Sequence, residues 1–278
     1  MRSLLRQYNP LAFPGTVPGF DPSHIAAPKT NFSWAADGTF GGINLLKPTP
    51  AVVSGSGMTA GVDGRLGATT NFTSAGELKW TYTGPLPAND LPITFACIVS
   101  ASLSGNAVAV SDGNANANLG NELRIGSLGQ LLIASSGGIS TPNSFINANT
   151  PYFIAASCNS AATLANFVAL NLTNGVLSTS AASGTFTPAT SDGTAWIGSG
   201  GGFLRGTYNM AAAMFAQTYM PLTQLVQWAS DPWSFWYPPD PTTLGLEVIG
   251  LYSGAPPVVI IDTLGTPIYR VQPQRWGW

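Results

Sequence analysis

From about residue 90 to residue 220 the sequence is a succession of short apolar segments separated by Gly, Ser and Asn turns, with no helix between them. Ile93 to Ser100 (ITFACIVS) is rich in β-favouring residues, and Ala107 to Ser111 follows across Ser104-Gly105. Leu123 to Ile125 and Gln130 to Ala134 flank Gly126 to Gly129 as a hairpin. Tyr152 to Ser157 and Asn166 to Leu172 form a second pair, and Asn174-Gly175 is a strong turn signal before Val176 to Ser180 and Thr185 to Phe186. Parallel strands would need long crossovers, usually helical, between them. The spacing therefore predicts an all-β chain, an antiparallel sandwich or barrel.

The period changes once. After Ala195 to Gly198, a Gly-rich turn and the long segment Tyr208 to Tyr219, apolar residues fall at Leu222, Leu225, Val226 and Ala229, the i, i+3, i+4, i+7 stripe of a helix. Pro221 opens it and Asp231-Pro232 closes it, because Pro lacks the N–H that a first helical turn leaves unpaired and disfavours helical angles in the residue before it. One short helix is expected near residues 221–230.

The flanks differ from this centre. Residues 1–30 carry Pro10, Pro14, Pro18, Pro22 and Pro28, which forbid helix and central strand, so an extended arm is expected. Residues 31–80 alternate strands (Phe32 to Trp34, Ala51 to Val53, Gly67 to Phe72, Leu78 to Tyr82) with loops. Beyond Pro238-Pro239-Asp240-Pro241, Val258 to Asp262 and Pro267 to Val271 read as a hairpin across Leu264-Gly265. The expected division is an N-terminal arm over 1–30, a sandwich domain over 31–240 and a docking tail over 241–278. Apolar side chains in both flanks, Phe13, Phe20, Val258, Ile260, Tyr269, Trp276 and Trp278, are expected to dock on a partner.

Charged residues are 8 % of the chain, against roughly 25 % in ordinary soluble domains, and the net charge is −2. Without clustered Lys and Arg there is no footprint for nucleic acid or an anionic membrane. Mean hydropathy is +0.19, yet no apolar run approaches the 18 or so residues of a membrane span, and Arg6, Gln7, Asn9 and Pro10 break any signal-peptide core. Cys97 and Cys158 stand in strand-like contexts and read as buried thiols. So little charge offers little repulsion between copies, as suits a protein that sits in an assembly.

The succession ITFACIVSAS, NELRIGSLGQLLIASSGG, TPYFIAASCNSAATLANFVALNLTNG and TAWIGSGGG…PLTQLVQWASDPWSFW resembles the laminin G-like, concanavalin A-type lectin/glucanase jelly roll over roughly residues 31–240. The resemblance implies a concanavalin A-like jelly-roll sandwich closed by the helix and the Pro-aromatic segment after it. Gln224 stands where that family usually has an acidic residue. The phrases VPGFDPSHIAA, GVDGRLG and DPWSFWYPP are similar to those of tailed-bacteriophage structural proteins. This implies a virion-surface structural protein, a capsid decoration, head fibre or tail component, with other virion proteins or its own copies as partners. The alternative implied is a carbohydrate-binding module for host-surface glycans.

Catalysis is not expected. Glycosidase chemistry of the glucanase type needs paired carboxylates, whereas Glu77, Glu122 and Glu247 are isolated in sequence. No G-x-S-x-G elbow occurs, and the single histidine, His24, lies in the Pro-rich arm and reads as a surface residue. Asp112, Asn114, Asn116 and Asn118 alternate ahead of Glu122, the way a Ca²⁺ loop collects oxygens, but Ala117 and Leu123 stand where such a loop needs Gly and Glu. A polar loop is expected there, with calcium the one cofactor candidate. GSGGG (Gly198 to Gly202) precedes a strand, so it offers no helix N-terminus to a phosphate and reads as a turn. Among aromatics that could stack on sugars, Trp80 and Tyr82 are the candidates. Trp228, and Trp233 to Tyr237, are expected to staple the helix to the sandwich.

Overall fold

The computed structural model describes residues 19, 21, 24, 26–39, 41–46, 51–54, 56–73, 75–81, 91–202, 204–237, 259–261 and 267–270, the last two segments by backbone only. The early strands are β1 (Thr30–Ala35), β2 (Ile43–Asn44), β3 (Val52–Ser54), β4 (Thr59–Asp63), β5 (Gly67–Phe72) and β6 (Glu77–Thr81). The middle of the chain supplies β7 (Ile93–Ala101), β8 (Ala107–Ser111), β9 (Glu122–Ile125), β10 (Leu131–Ser140), β11 (Pro151–Cys158) and β12 (Leu164–Asn171). Then come β13 (Leu177–Ser183), β14 (Phe186–Thr187), β15 (Thr194–Ile197), β16 (Tyr208–Ala216) and helix α1 (Leu222–Ser230). The chain divides into two compact units, 1–238 and 239–278; the second contains the antiparallel pair β17 (Val259–Ile261) and β18 (Pro267–Arg270).

The first unit is an antiparallel jelly-roll β-sandwich. One sheet runs β13-β12-β11-β7-β16-β1-β2, with β5 and then β4 joined to the first half of β16; the other runs β14-β10-β9-β8-β15-β6-β3. Both hairpins anticipated from the sequence form, Ile125 opposite Leu131 and Tyr152 opposite Asn171. At the Asn174-Gly175 turn, Gly175 sits at φ +74°, where a side chain is strained. Ile93–Ala101 and Ala107–Ser111, neighbours in sequence, lie in different sheets, so the connection between them crosses the sandwich.

Side-chain alternation gives each sheet two faces, and both faces of the first sheet are covered. Phe95, Cys97 and Val99 of β7, Ile154 of β11 and Phe215 of β16 point inward, meeting Leu78, Trp80, Leu123, Ile125, Ala195 and Ile197 of the second sheet. The alternate residues Ala96, Ile98, Phe153, Val168 and Met214 face outward, against α1 and the segment after it. There Leu225, Trp228, Ala229, Trp233, Phe235, Trp236 and Tyr237 are buried. Helix and sandwich are thus stapled by aromatics, Trp228 lying 5.3 Å from Phe153 and 5.9 Å from Trp236. The buried stripe of α1 is centred on Leu225, Trp228 and Ala229, with Leu222 and Val226 at its margin. No helix among the described residues is long and apolar enough to cross a membrane.

Candidate functional site

The loop after β8 has its own use for its oxygens. Asp112 is buried, and its carboxylate and N–H close the loop on the backbone of Asn121. The Ser111 hydroxyl donates to the Gly113 carbonyl at 2.6 Å. Asn116 and Asn118 are exposed, whereas Glu122 is fully buried and paired with Arg124. Burial raises the Glu122 pKa, and Arg124 partly opposes it. Asp112, Asn114, Asn116, Asn118 and Glu122 therefore do not converge. No group of three or more His, Cys, Asp or Glu among the described residues is placed to hold a metal ion. The polar loop is held by its own hydrogen bonds.

The expectation that Trp80 stacks on sugars is corrected. Its neighbour in the strand, Glu77, and Lys79 face outward, which turns Leu78 and Trp80 into the sandwich; Trp80 is 1 % exposed, 5.2 Å from Phe32 and 6.5 Å from Trp34. A ring packed on both sides offers no face to a sugar. Tyr82, Phe13, Phe20, Val258, Trp276 and Trp278, and the side chains of Ile260 and Tyr269, fall outside the described residues.

The outer face of the second sheet gathers residues that are far apart in sequence. Lys79, Trp196, Ser111 and Glu122 lie in register across β6, β15, β8 and β9. Lys79 Nζ sits 4.9 Å from the Trp196 ring centroid, and the Trp196 indole N–H donates to Thr194 Oγ1 at 2.8 Å. Beside this row, Glu77 accepts from Ser199 Oγ, from the Gly202 N–H at 2.7 Å and from Arg205 at 3.1 Å. Gly198 starts this loop at φ +81°, with Phe72 so close that a Cβ would meet its ring at 2.5 Å. The GSGGG segment is thus a tight turn that carries a hydroxyl and an amide to a buried carboxylate. Two glutamates isolated in sequence share one face, each neutralised by its own arginine.

A cleft of about 280 Å³ opens beside the helix, lined by Asp21, His24, Gln227, Trp228, Ser230, Asp231 and Ser234. The segment ahead of β1 builds one wall by pairing with the aromatic clasp: Gly19 N–H donates to the Trp236 carbonyl at 2.7 Å, and Asp21 N–H to the Phe235 carbonyl at 3.2 Å. A turn then places His24, whose ring lies 4.5 Å from Trp228 and 5.1 Å from Phe235. His24 is not a free surface residue, because this packing half-buries it. Desolvation lowers its pKa to about 4, against a smaller opposing effect of Asp21. Its Nδ1 accepts the Ala26 N–H at 3.2 Å, so the neutral ring carries its proton on Nε2. On the other wall Ser230 Oγ donates to the Gln227 carbonyl at 2.6 Å and Ser234 Oγ to the Asp231 carbonyl at 2.8 Å, both bonds shaping the chain end of α1.

This cleft combines the half-buried His24 ring as an imidazole donor, an exposed amide and carboxylate acceptors, with the buried Trp228 behind the imidazole. Such a set suits a neutral, hydroxyl-rich ligand: carboxylates accept from hydroxyls, the amide both donates and accepts, and the ring edge covers C–H surface. Two smaller hollows of about 180 Å³ each, sharing Ser102, Thr207 and Tyr208, lie at the end of β7 and offer hydroxyls and amides without an imidazole. The sequence missed the cleft because its walls are some 200 residues apart; the DPSHIAAP and QWASDPWS phrases hold its residues but nothing local pairs them.

No protein-family model matches the sequence, and no curated protein matches it. Solved structures do resemble the fold. Domain 4 of AbnA, a GH43 extracellular arabinanase from Geobacillus stearothermophilus, in complex with arabinotriose, is similar with a TM-score of 0.53 at 12 % identity, over 72 % of this chain and 98 % of that one. The binding domain of botulinum neurotoxin serotype G is similar with a TM-score of 0.51 at 11 % identity, over 74 % of this chain and 51 % of that one. The receptor-binding domain of the botulinum neurotoxin C/D mosaic serotype gives 0.51 at 9 % identity, over 73 % and 51 %. This chain thus matches about half the length of the toxin domains and nearly all of the arabinanase domain. At these identities the likeness is one of fold, and the fold is that of a jelly-roll β-sandwich.

Proposed function

We propose that this chain is a non-catalytic glycan-binding β-sandwich whose sugar site is the cleft between the segment ahead of β1 and helix α1. The observation that carries the reading is the lining: the half-buried His24 ring backed by the buried Trp228, Asp21 and Asp231 as acceptors, and the exposed Gln227 amide at the rim. The fold shared with an arabinanase domain in complex with arabinotriose supports it. Neither buried glutamate of the second sheet is free for acid-base work, since each is committed to an arginine. A glycan array followed by titration calorimetry tests the proposal. Binding that weakens by about tenfold in Gln227→Ala and His24→Ala, at unchanged thermal stability for the former, is the expected result; absence of binding to any glycan refutes it.

A second reading, a bacteriophage virion component that presents this sandwich on the particle surface, rests on the phrases VPGFDPSHIAA, GVDGRLG and DPWSFWYPP. In this reading the C-terminal unit, whose described strands pair as β17 and β18, is the segment that docks on another virion protein. Removal of residues 239–278 then abolishes incorporation into particles. Normal incorporation of the truncated chain overturns this reading.

A further inference from the structure

The first sheet ends on β13, and this edge is unlike the others. Among the described residues the remaining free edges are β2 and β14, two residues each, β3 with three, and β4, which carries Asp63. Natural sheets blunt their edges by shortness, charge, Pro or bulges, because an open strand is a template for another strand. The seven residues of β13, Leu-Ser-Thr-Ser-Ala-Ala-Ser, have none of these, and its pairing with β12 runs without a register shift.

The direction of its hydrogen bonds can be assigned. Asn171 N–H donates to the Val176 carbonyl at 2.9 Å, and Gly184 N–H to the Thr163 carbonyl at 3.1 Å, just beyond the two ends of the ladder. In an antiparallel pair, hydrogen-bonded residues alternate with residues whose groups face the other way. Ser178, Ser180 and Ala182 therefore bond to β12, while Leu177, Thr179, Ala181 and Ser183 turn their N–H and C=O groups to the open side. The same four residues are exposed, and Val176 beside them is 58 % exposed. Helix α1 lies chiefly over β12 and reaches β13, and among the described residues no strand pairs with the outer edge of β13.

We propose that β13 pairs antiparallel with β13 of a second copy, about a two-fold axis at Ser180, joining the two first sheets into one. Self-pairing, and not capture of a foreign strand, is favoured by the sequence of the edge. In this register Leu177 faces Ser183 of the second copy and Thr179 faces its Ala181, so every outward backbone group meets its complement. No charge lies between Val176 and Thr190 to oppose a like charge, and no bulky side chain meets another at the seam. The inference is independent of what the cleft binds.

Sedimentation equilibrium of the full chain tests it. The unaltered protein is expected to be dimeric at micromolar concentration. Ala181→Pro removes an outward N–H and no bond to β12, so it leaves the circular dichroism spectrum unchanged while weakening the dimer at least about tenfold. Ala181→Lys, which keeps the backbone donor, weakens it through like charges at the seam, and added salt restores it. A monomer at all concentrations, or a dimer insensitive to both substitutions, overturns the proposal.

Discussion

The two sheets of this sandwich cover their outer faces in opposite ways. The first buries Phe153, Val168 and Met214 under a helix and an aromatic clasp. The second carries polar residues, with Glu77 and Glu122 held against Arg205 and Arg124 and a glycine-rich loop folded over them. The apolar cover gains from every atom it removes from water, whereas the polar cover must first offset the desolvation of its charges. The difference teaches where stability resides in a chain with only 8 % charged residues: in the clasp.

Four measurements would break or sharpen that contrast. The largest effect is expected in the clasp: Trp236→Ala, fully buried among Trp228 and Phe235, should cost about 3–5 kcal/mol by urea unfolding at an unchanged m-value. On the polar face Glu77→Gln should cost about 1–3 kcal/mol, because it removes the charge that faces a half-buried arginine and turns one of two accepting oxygens into a donor. Glu122→Gln should cost less, since burial already favours its uncharged form; the reverse order would contradict the assignment of their environments.

At the seam of helix and arm the expected effect is smaller and depends on pH. The His24 pKa is lowered from 6.5 to about 4, so the unfolded chain binds the proton more tightly than the folded one. Its stabilising effect is complete above pH 6.5 and is lost as pH falls towards 4. The melting temperature of His24→Gln should therefore decline less over that interval than that of the unaltered protein, and parallel curves would remove His24 from the packed wall. The smallest effect belongs to the loop after β8. Asn116→Ala should lie within about 0.5 kcal/mol of the original, and a chelator should leave the melting curve where it is.

Local sequence carries much of this architecture. Pro221 and Asp231-Pro232 bound α1 at the residues where it begins and ends, because proline chemistry acts within one turn. The Asn174-Gly175 and Gly126–Gly129 turns fix their hairpins for the same reason. Sugar stacking on Trp80 did not survive, since it rested on residue type without knowledge of which face the strand buries. The candidate cleft was illegible: His24 looks exposed in a Pro-rich arm until Phe235 and Trp236 accept hydrogen bonds from the same arm and bring it against Trp228.

What the sequence determined alone is the set of elements, short antiparallel strands and one helix with proline at both ends, because turns and periodicity are properties of a few neighbouring residues. Which sheet each strand joins was decided only in three dimensions, as were the pairing of Glu77 with an arginine 128 positions away and the open edge at β13. Those outcomes depend on which long-range surfaces exclude water together, and no local pattern records that choice.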